Sequence, residues 1–306
     1  MAEFSAKDVA ELRKQTGCGM MDCKNALKDA NGDFEAAVKL LREKGMAATA
    51  KKADRIAAEG LVDVMTIDNV TAMVEVNSET DFVAKNAIFQ EFVKVVLKTI
   101  IANKPQNVEA LMGCTVAGGT TTVEAELAEH TYKIGEKLSV RRFVIVDGTV
   151  STYIHGLGNT GVIISFDTDV ADKDDFAAFA KNIALQVAAM NVSYLDKDSV
   201  PASVLEEEKN ILLKQMEQDP KMANKPAQVL ENIVKGKLGK YYENNCLLEM
   251  TYVKDDSLTV GKYVAATAKE LGGNIKVTGF VRFDKGEGIE KREDDLAAEV
   301  AKMVKG

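Results

Sequence analysis

The spacing of apolar residues changes along the chain from a helical period to a strand period and back. Residues 5–45 have apolar positions three and four apart, which predicts three short helices. The period then becomes two, and strands are predicted at 61–65 and 71–76 around an Asp68-Asn69 turn. A long helical pattern from Ile88 to Ile101 follows. This order predicts a small helical segment followed by an α+β core.

The same order of predicted elements occurs again about 90 residues later. Strand patterns at 153–155 and 161–166 lead through an acidic turn into an aromatic-rich helix. We therefore predict two related α+β subdomains in tandem, with antiparallel sheets. The second copy has Asp169-Val170-Ala171 near the position where the first has Thr80-Asp81-Phe82.

Two amphipathic helical patterns around Asp219-Pro220 interrupt the second copy. They predict an inserted helical hairpin of the coiled-coil or dimerisation type, because such a hairpin cannot bury both faces alone. Strand patterns return at 246–253 and 274–283, and the chain ends in a helical pattern. The predicted boundaries are 1–55 for a three-helix bundle with a linker or weak helix after Gly45, 56–148 for the first core subdomain, 149–198 with 243–284 for the second, 199–242 for the hairpin, and 285–306 for a C-terminal helical module.

The polar segment before the long helix is the first candidate for function. Thr80 or Asp81 can cap a helix start, where a carboxylate also suits the helix dipole. In one interpretation Phe82 then packs under the first helical turn. In the other, Asp81 and Phe82 form a projecting tip that enters another protein. The absence of this tip from the second copy favours the projecting interpretation.

Composition and charge narrow the function further. The net charge of −8 argues against general nucleic-acid binding, which needs concentrated Lys and Arg. No apolar run reaches about 18 residues and no secretory signal precedes the first helix, so we expect a cytoplasmic protein without a membrane partner. The cysteines and histidines are scattered, which predicts no metal site. They are Cys18, Cys23, Cys114, Cys246, His130 and His155.

The stretch Gly156-Leu157-Gly158-Asn159-Thr160-Gly161 fits the G-x-G-x-x-G pattern of dinucleotide-binding loops. That mechanism needs the loop to lie between a strand and a helix N-terminus. Here a second strand pattern follows, so a tight turn is predicted. No pairing of nucleophile with base is apparent elsewhere. We therefore predict no cofactor and no catalytic residue, and an NAD-dependent enzyme is the weaker alternative.

Two long motifs resemble signatures of the elongation factor Ts family. The first runs from Leu12 to Leu27, and the second from Glu75 to Lys85. The similarity covers essentially the whole chain. The helices of 5–45 also resemble a ubiquitin-associated bundle, which leaves a ubiquitin-binding adaptor as another alternative. Shorter matches to the Ts family lie at Ile134-Gly135-Glu136, Tyr153-Ile154-His155-Gly156, and 278–283 with 286–291.

The resemblance implies a guanine-nucleotide exchange factor that binds elongation factor Tu with GDP during translation, and not an enzyme. It also implies a homodimer or a heterotetramer with that GTPase as possible assemblies. From the residues alone, Ile134-Gly135 also fits an ordinary helix end, and His155 also fits a turn residue. The residues that the resemblance assigns to insertion near the nucleotide and Mg²⁺ are Thr80, Asp81, Phe82 and Val83, and the other implied partner contacts are Lys24, Ile134, Gly135 and His155.

Overall fold

The structure is a computed structural model that describes residues 4–219 and 225–290. It forms two compact units. One contains the chain up to Ile145, Gly156–Thr160 and the segment from Phe283, and the other contains Val146–His155 and Gly161–Arg282. Helices and antiparallel sheets are combined in one chain, which confirms the predicted α+β class.

Three helices open the described part of the first unit: α1 (Ala6–Thr16), α2 (Met20–Asp29) and α3 (Phe34–Lys51). Ser5 and Asp33 accept backbone N–H bonds at the starts of α1 and α3, as predicted. The bundle buries a small apolar core whose largest members are Leu12, Leu27 and Leu41.

The prediction that the third helix ends at Gly45 is wrong, since α3 continues to Lys51. Gly45 instead permits a close approach to the helix α7 (Val123–Ile134). A Cβ at Gly45 would lie 3.2 Å from the carbonyl oxygen of Ala128. Tyr132 of α7 packs against the bundle core and shares a hydrogen bond with Asp22. Burial and this bond raise the pKa of Tyr132. The bundle therefore rests on α7. Of the two alternatives predicted for the segment after Gly45, a linker or a weak helix, the structure has helix as far as Lys51.

The core of the first unit is a three-stranded sheet covered by helices. Strands β1 (Glu59–Ile67) and β2 (Val70–Ser78) form an antiparallel hairpin, with Asp68 at φ 52° in its turn. A third strand, β3 (Ser139–Asp147), pairs with β2, so the strand order is β1-β2-β3. Phe89, Phe92 and other apolar residues of α5 are fully buried in this unit's core. The remaining elements are α4 (Asp81–Ala84), α5 (Ala87–Asn103), α6 (Val108–Gly113) and α7.

The second unit repeats this order of hairpin, helix and returning strand. Its sheet has the order β4 (Val150–His155), β5 (Thr160–Thr168), β8 (Ile275–Asp284). Phe166, Phe176 and Phe179 meet in its core. The repeat confirms the predicted tandem α+β subdomains. Its elements are β4 (Val150–His155), β5 (Thr160–Thr168), α8 (Asp174–Ala189), α9 (Ala202–Gln218), α10 (Ala227–Asn245), β6 (Thr251–Tyr252), β7 (Asp255–Thr259), α11 (Val260–Leu271) and β8 (Ile275–Asp284).

Two predictions for the later part of the chain need correction or fall outside the structure. The strand expected at 246–253 shrinks to β6, because a turn precedes it: the Met250 N–H donates to the Cys246 carbonyl at 3.0 Å. The C-terminal helical module was predicted over 285–306, and its part from residue 291 onward lies outside the described residues. Within the described ranges, no helix is long and apolar enough to cross a membrane.

Candidate functional site

We call Thr80, Asp81, Phe82 and Val83 the tip. β2 leads directly into it, and α4 is a single turn that begins at Asp81. Val83 points inward and is 5% exposed, whereas Phe82 is 76% exposed. The interpretation in which Phe82 packs under the first helical turn is therefore wrong. An aromatic side chain left in water forgoes the roughly 1.5–3 kcal/mol that burial would provide, and a partner surface can supply that burial.

The charges beside Phe82 are held loosely. Lys85 Nζ lies 3.2 Å from Asp81 Oδ2 and 5.8 Å from the centroid of the Phe82 ring. Both charged side chains of the pair are more than half exposed. Such a surface pair contributes little to stability. Asp81 can therefore give up its contact with Lys85 and bind a group on another molecule at a small cost in free energy. Asp81 is thus available to a cation or a donor on another molecule.

The backbone at the start of the tip is held firmly. Glu136 Oε2 accepts the Thr80 N–H at 2.9 Å, and Glu136 Oε1 accepts the Thr80 hydroxyl at 2.7 Å. The Ser78 hydroxyl donates to the Thr80 carbonyl at 2.9 Å. The predicted capping by Thr80 is wrong, since its side chain makes no cap bond to α4. Asn86 caps the long helix α5 instead.

Ile134 and Gly135 lie immediately before Glu136. Gly135 has φ 85° and ends α7, with its N–H donating to the Thr131 carbonyl at 3.0 Å. Ile134 is half-buried against the core of the first unit. These two predicted partner contacts therefore also have a structural role, because the left-handed residue turns the chain so that Glu136 reaches Thr80.

The two other predicted site residues lie elsewhere. Lys24 is exposed on α2, where Met20 and Met21 are 44% and 62% exposed. His155 is exposed at the end of β4 in the second unit, with Nδ1 3.1 Å from the Tyr153 hydroxyl. Among the described residues, the side chains that hydrogen-bond to the tip are those of Ser78, Lys85 and Glu136, rather than either of these.

The glycine turn forms a second feature of the first unit. Gly156, Leu157 and Gly158 all have positive φ, and the Gly158 carbonyl accepts the Val62 N–H at 2.8 Å. A Cβ at Gly158 would lie 2.6 Å from the Cβ of Leu61, so the close approach requires glycine. The turn joins β4 to β5, which confirms the predicted tight turn and removes the support for a dinucleotide loop.

A groove of about 670 Å³ separates this turn from the tip. Asp81, Lys85, Leu157 and Asn159 contribute to its lining, and Leu157 is 81% exposed. Sequence patterning did not identify Leu157, although a leucine between two glycines of a turn has no core to enter and is a usable signal. The lining thus combines charged side chains with the exposed Leu157, and the tip that carries the exposed Phe82 borders it through Asp81. Such a mixture of charged and apolar groups is typical of protein-binding surfaces.

Comparison with known proteins agrees with the motifs. The family model described as Elongation factor TS matches residues 79–287. The chain is 47% identical to Elongation factor Ts of Syntrophotalea carbinolica, over 99% of this chain and 100% of that protein. It is 48% identical to that of Clostridioides difficile over 100% of both chains, and 44% identical to that of Clostridium kluyveri over 99% of both. The ubiquitin-binding alternative rests on residues 5–45 alone and explains none of the remaining match.

Proposed function

The chain belongs to the elongation factor Ts family of translation elongation factors, and we propose that it is the guanine-nucleotide exchange factor for elongation factor Tu. The observation that carries the proposal is Phe82, which is exposed at 76% on a turn whose first residue is fixed by Glu136. A fixed, exposed aromatic beside a carboxylate is suited to enter a partner and disturb an anion-binding or Mg²⁺ site there. Because ribosomes are the site of translation, the proposed location is the cytoplasm.

The mechanism needs no chemical step by this chain. A protein that binds the nucleotide-free GTPase more tightly than the loaded GTPase must weaken nucleotide binding by the same factor. Phe82 gains burial only in a partner conformation that opens a pocket for it, so it favours that conformation. Asp81 placed near the phosphates or Mg²⁺ would oppose the bound nucleotide by charge. Tip insertion and nucleotide retention therefore compete.

The remaining predicted contacts are proposed to dock the two proteins. Lys24 with Met20 and Met21 gives α2 an exposed cationic and apolar surface. Ile134 and Gly135 adjoin the tip, and His155 is available on the second unit. Docking at several separated places raises the effective concentration of the tip at its target.

The direct test measures release of a fluorescent GDP analogue from elongation factor Tu at several Mg²⁺ concentrations. We expect release to accelerate with the concentration of this protein until it saturates, and the acceleration to be greatest where Mg²⁺ is abundant enough to retain nucleotide. Release that stays at its spontaneous rate with the protein in large excess would contradict the proposed function.

We expect Lys24→Ala to weaken docking without slowing nucleotide release from the complex. An exposed cation in a protein interface contributes roughly 0.2–1 kcal/mol, so the concentration for half-maximal exchange should rise by a factor of about 1.4 to 5. The control is Lys28→Ala, an exposed lysine on the same helix. Equal effects of the two variants, or an effect on the maximal rate alone, would remove Lys24 from the docking surface.

The α9–α10 hairpin is proposed to serve self-association more than exchange. Its buried apolar residues Leu212, Met216 and Val234 lie outside the main core cluster of the second unit. A groove of about 620 Å³ along it is lined by Leu213, Leu230 and Leu238 among others. An apolar groove of this kind on an inserted hairpin fits a homodimer or a heterotetramer with the GTPase.

Replacing residues 205–238 with a short flexible linker should therefore change the oligomeric state while exchange stays within about threefold of the unaltered protein, a loss of under ~1 kcal/mol. The cut leaves Tyr241 and Tyr242 in place, where Tyr242 supports the turn at Cys246. Light scattering reports the mass and the GDP-release assay reports exchange. A folded, monomeric variant without exchange activity would show that the hairpin belongs to the exchange machinery.

A further inference from the structure

Glu136 holds Thr80, the first residue of the tip, through two hydrogen bonds. Its two carboxylate oxygens accept the Thr80 N–H and the Thr80 hydroxyl, at 2.9 and 2.7 Å. Hydrogen bonds to a carboxylate are stronger than those between neutral groups. The contact spans 56 residues of sequence, so it is tertiary rather than part of a local turn.

A second carboxylate, that of Glu79 beside Thr80, accepts a hydrogen bond from Lys137 beside Glu136. Glu79 Oε1 accepts the Lys137 N–H at 2.6 Å and lies 3.2 Å from Arg55 Nη1. Lys137 Nζ in turn donates to the carbonyls of Ala53 and Arg55, at 2.5 and 2.8 Å. Residues 79–80 and 136–137 therefore hold each other reciprocally, and both connect to the segment that follows α3.

The position of this contact ties the tip to the helix that supports the bundle. Glu136 follows Gly135, the left-handed residue that ends α7. α7 also carries the contacts of the bundle, through Tyr132 and the close approach of Gly45 to Ala128. The start of the tip is thus attached to the end of the element on which the bundle rests.

The tip needs such an external support. α4 has four residues, and a helix of that length has no stability of its own in water. Val83 packs into the core of the first unit, but the side chains of Asp81 and Phe82 are exposed, so burial does not orient them. A tip that is already oriented loses less conformational freedom when it enters a partner, which raises the stability of the inserted state.

We infer that Glu136 is a positioning residue for nucleotide exchange. By holding Thr80, it orients Asp81 and Phe82 of the tip and couples the tip to α7 and the bundle. The inference rests on the proposed function. Glu136 itself acts through Thr80 and leaves contact with the partner to the tip.

The test compares Glu136→Ala, Glu136→Gln, Thr80→Val and the Glu136→Ala/Thr80→Val double variant in the GDP-release assay. We expect Glu136→Ala to lower the maximal release rate about tenfold, as expected for the loss of hydrogen bonds to a charged acceptor. The concentration for half-maximal exchange should change less than about twofold, because the docking surfaces remain. Glu136→Gln retains one acceptor oxygen and should fall between.

The double variant decides whether Glu136 acts through Thr80. Residues that act through one contact are non-additive, so the double variant should be no slower than Glu136→Ala alone. The control is Glu124→Gln, an exposed carboxylate in the first turn of α7, the helix that Glu136 follows, and this variant should exchange at the full rate. Thermal melts of every variant allow rates to be expressed per folded molecule.

Full exchange per folded Glu136→Ala molecule, or fully additive losses in the double variant, would overturn the inference. If Glu136→Ala fails to fold, Glu136→Gln and Thr80→Val give the same comparison. Phe82→Ala in the same assay separates the two claims. A slow Phe82→Ala with normal Glu136 variants rejects this inference alone, whereas a normal Phe82→Ala rejects the proposed insertion itself.

Discussion

Phe82→Ala is expected to slow the release of GDP from elongation factor Tu by about ten- to hundredfold while leaving the fold intact. Burial of an aromatic side chain in a partner pocket is worth roughly 1.5–3 kcal/mol, and each ~1.4 kcal/mol changes an equilibrium tenfold. The same side chain is 76% exposed in the free protein, so its truncation removes almost no packing. The unfolding free energy should therefore change by less than about 0.5 kcal/mol.

Asp81→Ala should lose less, about two- to fivefold. Its carboxylate is more than half exposed and is already shared with Lys85, so solvent and that pairing reduce its effect on a partner's charges. The loss should depend on Mg²⁺ concentration if Asp81 opposes the metal. Phe82→Ala should be slow at every Mg²⁺ concentration, because its contribution is apolar.

The measurement is GDP-analogue release across a range of Mg²⁺ concentrations, with thermal melts of each variant. Ile67→Ala is the matched control, since Ile67 is 40% exposed at the opposite end of the same β1–β2 hairpin. It should exchange normally. A Phe82→Ala protein with a sharply lowered melting temperature and normal exchange per folded molecule would return Phe82 to a role in the fold.

Local patterns were sufficient for much of the fold. The period-two runs located both hairpins, and the Asp68-Asn69 turn marked the first of them because a residue with positive φ is needed there. The Ser5 and Asp33 caps were predictable because capping involves residues only three positions apart. The glycine turn was identified by the strand that follows it rather than by its letters.

Tertiary contacts account for what the sequence did not reveal. Glycine is typical of a helix end, but Gly45 instead lets α3 come close to Ala128 of α7, which lies 83 residues further along the chain. Thr80 has the chemistry of a cap, but Glu136 provides a stronger charged acceptor. Val83 and Phe82 are neighbours in one short turn, but Val83 packs into the core of the first unit and Phe82 is exposed. No local periodicity encodes any of these pairings.

Glu75→Gln is expected to lower the unfolding free energy by about 3–5 kcal/mol, the cost of breaking a buried ion pair by removing one partner. Glu75 is fully buried in β2. It accepts hydrogen bonds from Arg141 Nη1 at 3.0 Å, Arg142 Nε at 2.6 Å and the Gly286 N–H at 2.7 Å. The side-chain amide of Asn77 donates a fourth, at 3.0 Å. The substitution keeps the shape but removes the buried carboxylate that the two guanidinium groups share. Arg142 still pairs with the exposed Glu287, and both guanidinium groups are partly exposed, which favours the lower end of the range.

The pH dependence of stability provides a second test of the cluster formed by Glu75, Asn77, Arg141, Arg142 and Gly286. Burial by itself would raise the pKa of Glu75, but the donors from Gly286, Asn77, Arg141 and Arg142 outweigh it and lower the pKa below its ordinary value of 4.5. A carboxylate with a lowered folded-state pKa stabilises the protein above its unfolded-state pKa. That stabilisation is lost as the pH falls through the folded-state value. Stability should therefore fall below about pH 4.5 in the unaltered protein, and less steeply in Glu75→Gln.

Urea unfolding at pH 7 and at several values below pH 4.5 measures both effects. Glu287→Gln is the control, because Glu287 is 57% exposed and pairs with Arg142 at 3.0 Å on the rim of the same cluster. Its loss should cost less than about 1 kcal/mol at pH 7, as for other exposed ion pairs. The hydrogen bonds around Glu75 join β2 to residues 284–287 within the first unit. The stability lost in Glu75→Gln should therefore appear as global unfolding of that unit rather than as slower exchange per folded molecule. An unchanged urea midpoint for Glu75→Gln, or an acid sensitivity equal to that of the unaltered protein, would show that Glu75 does not hold the cluster together.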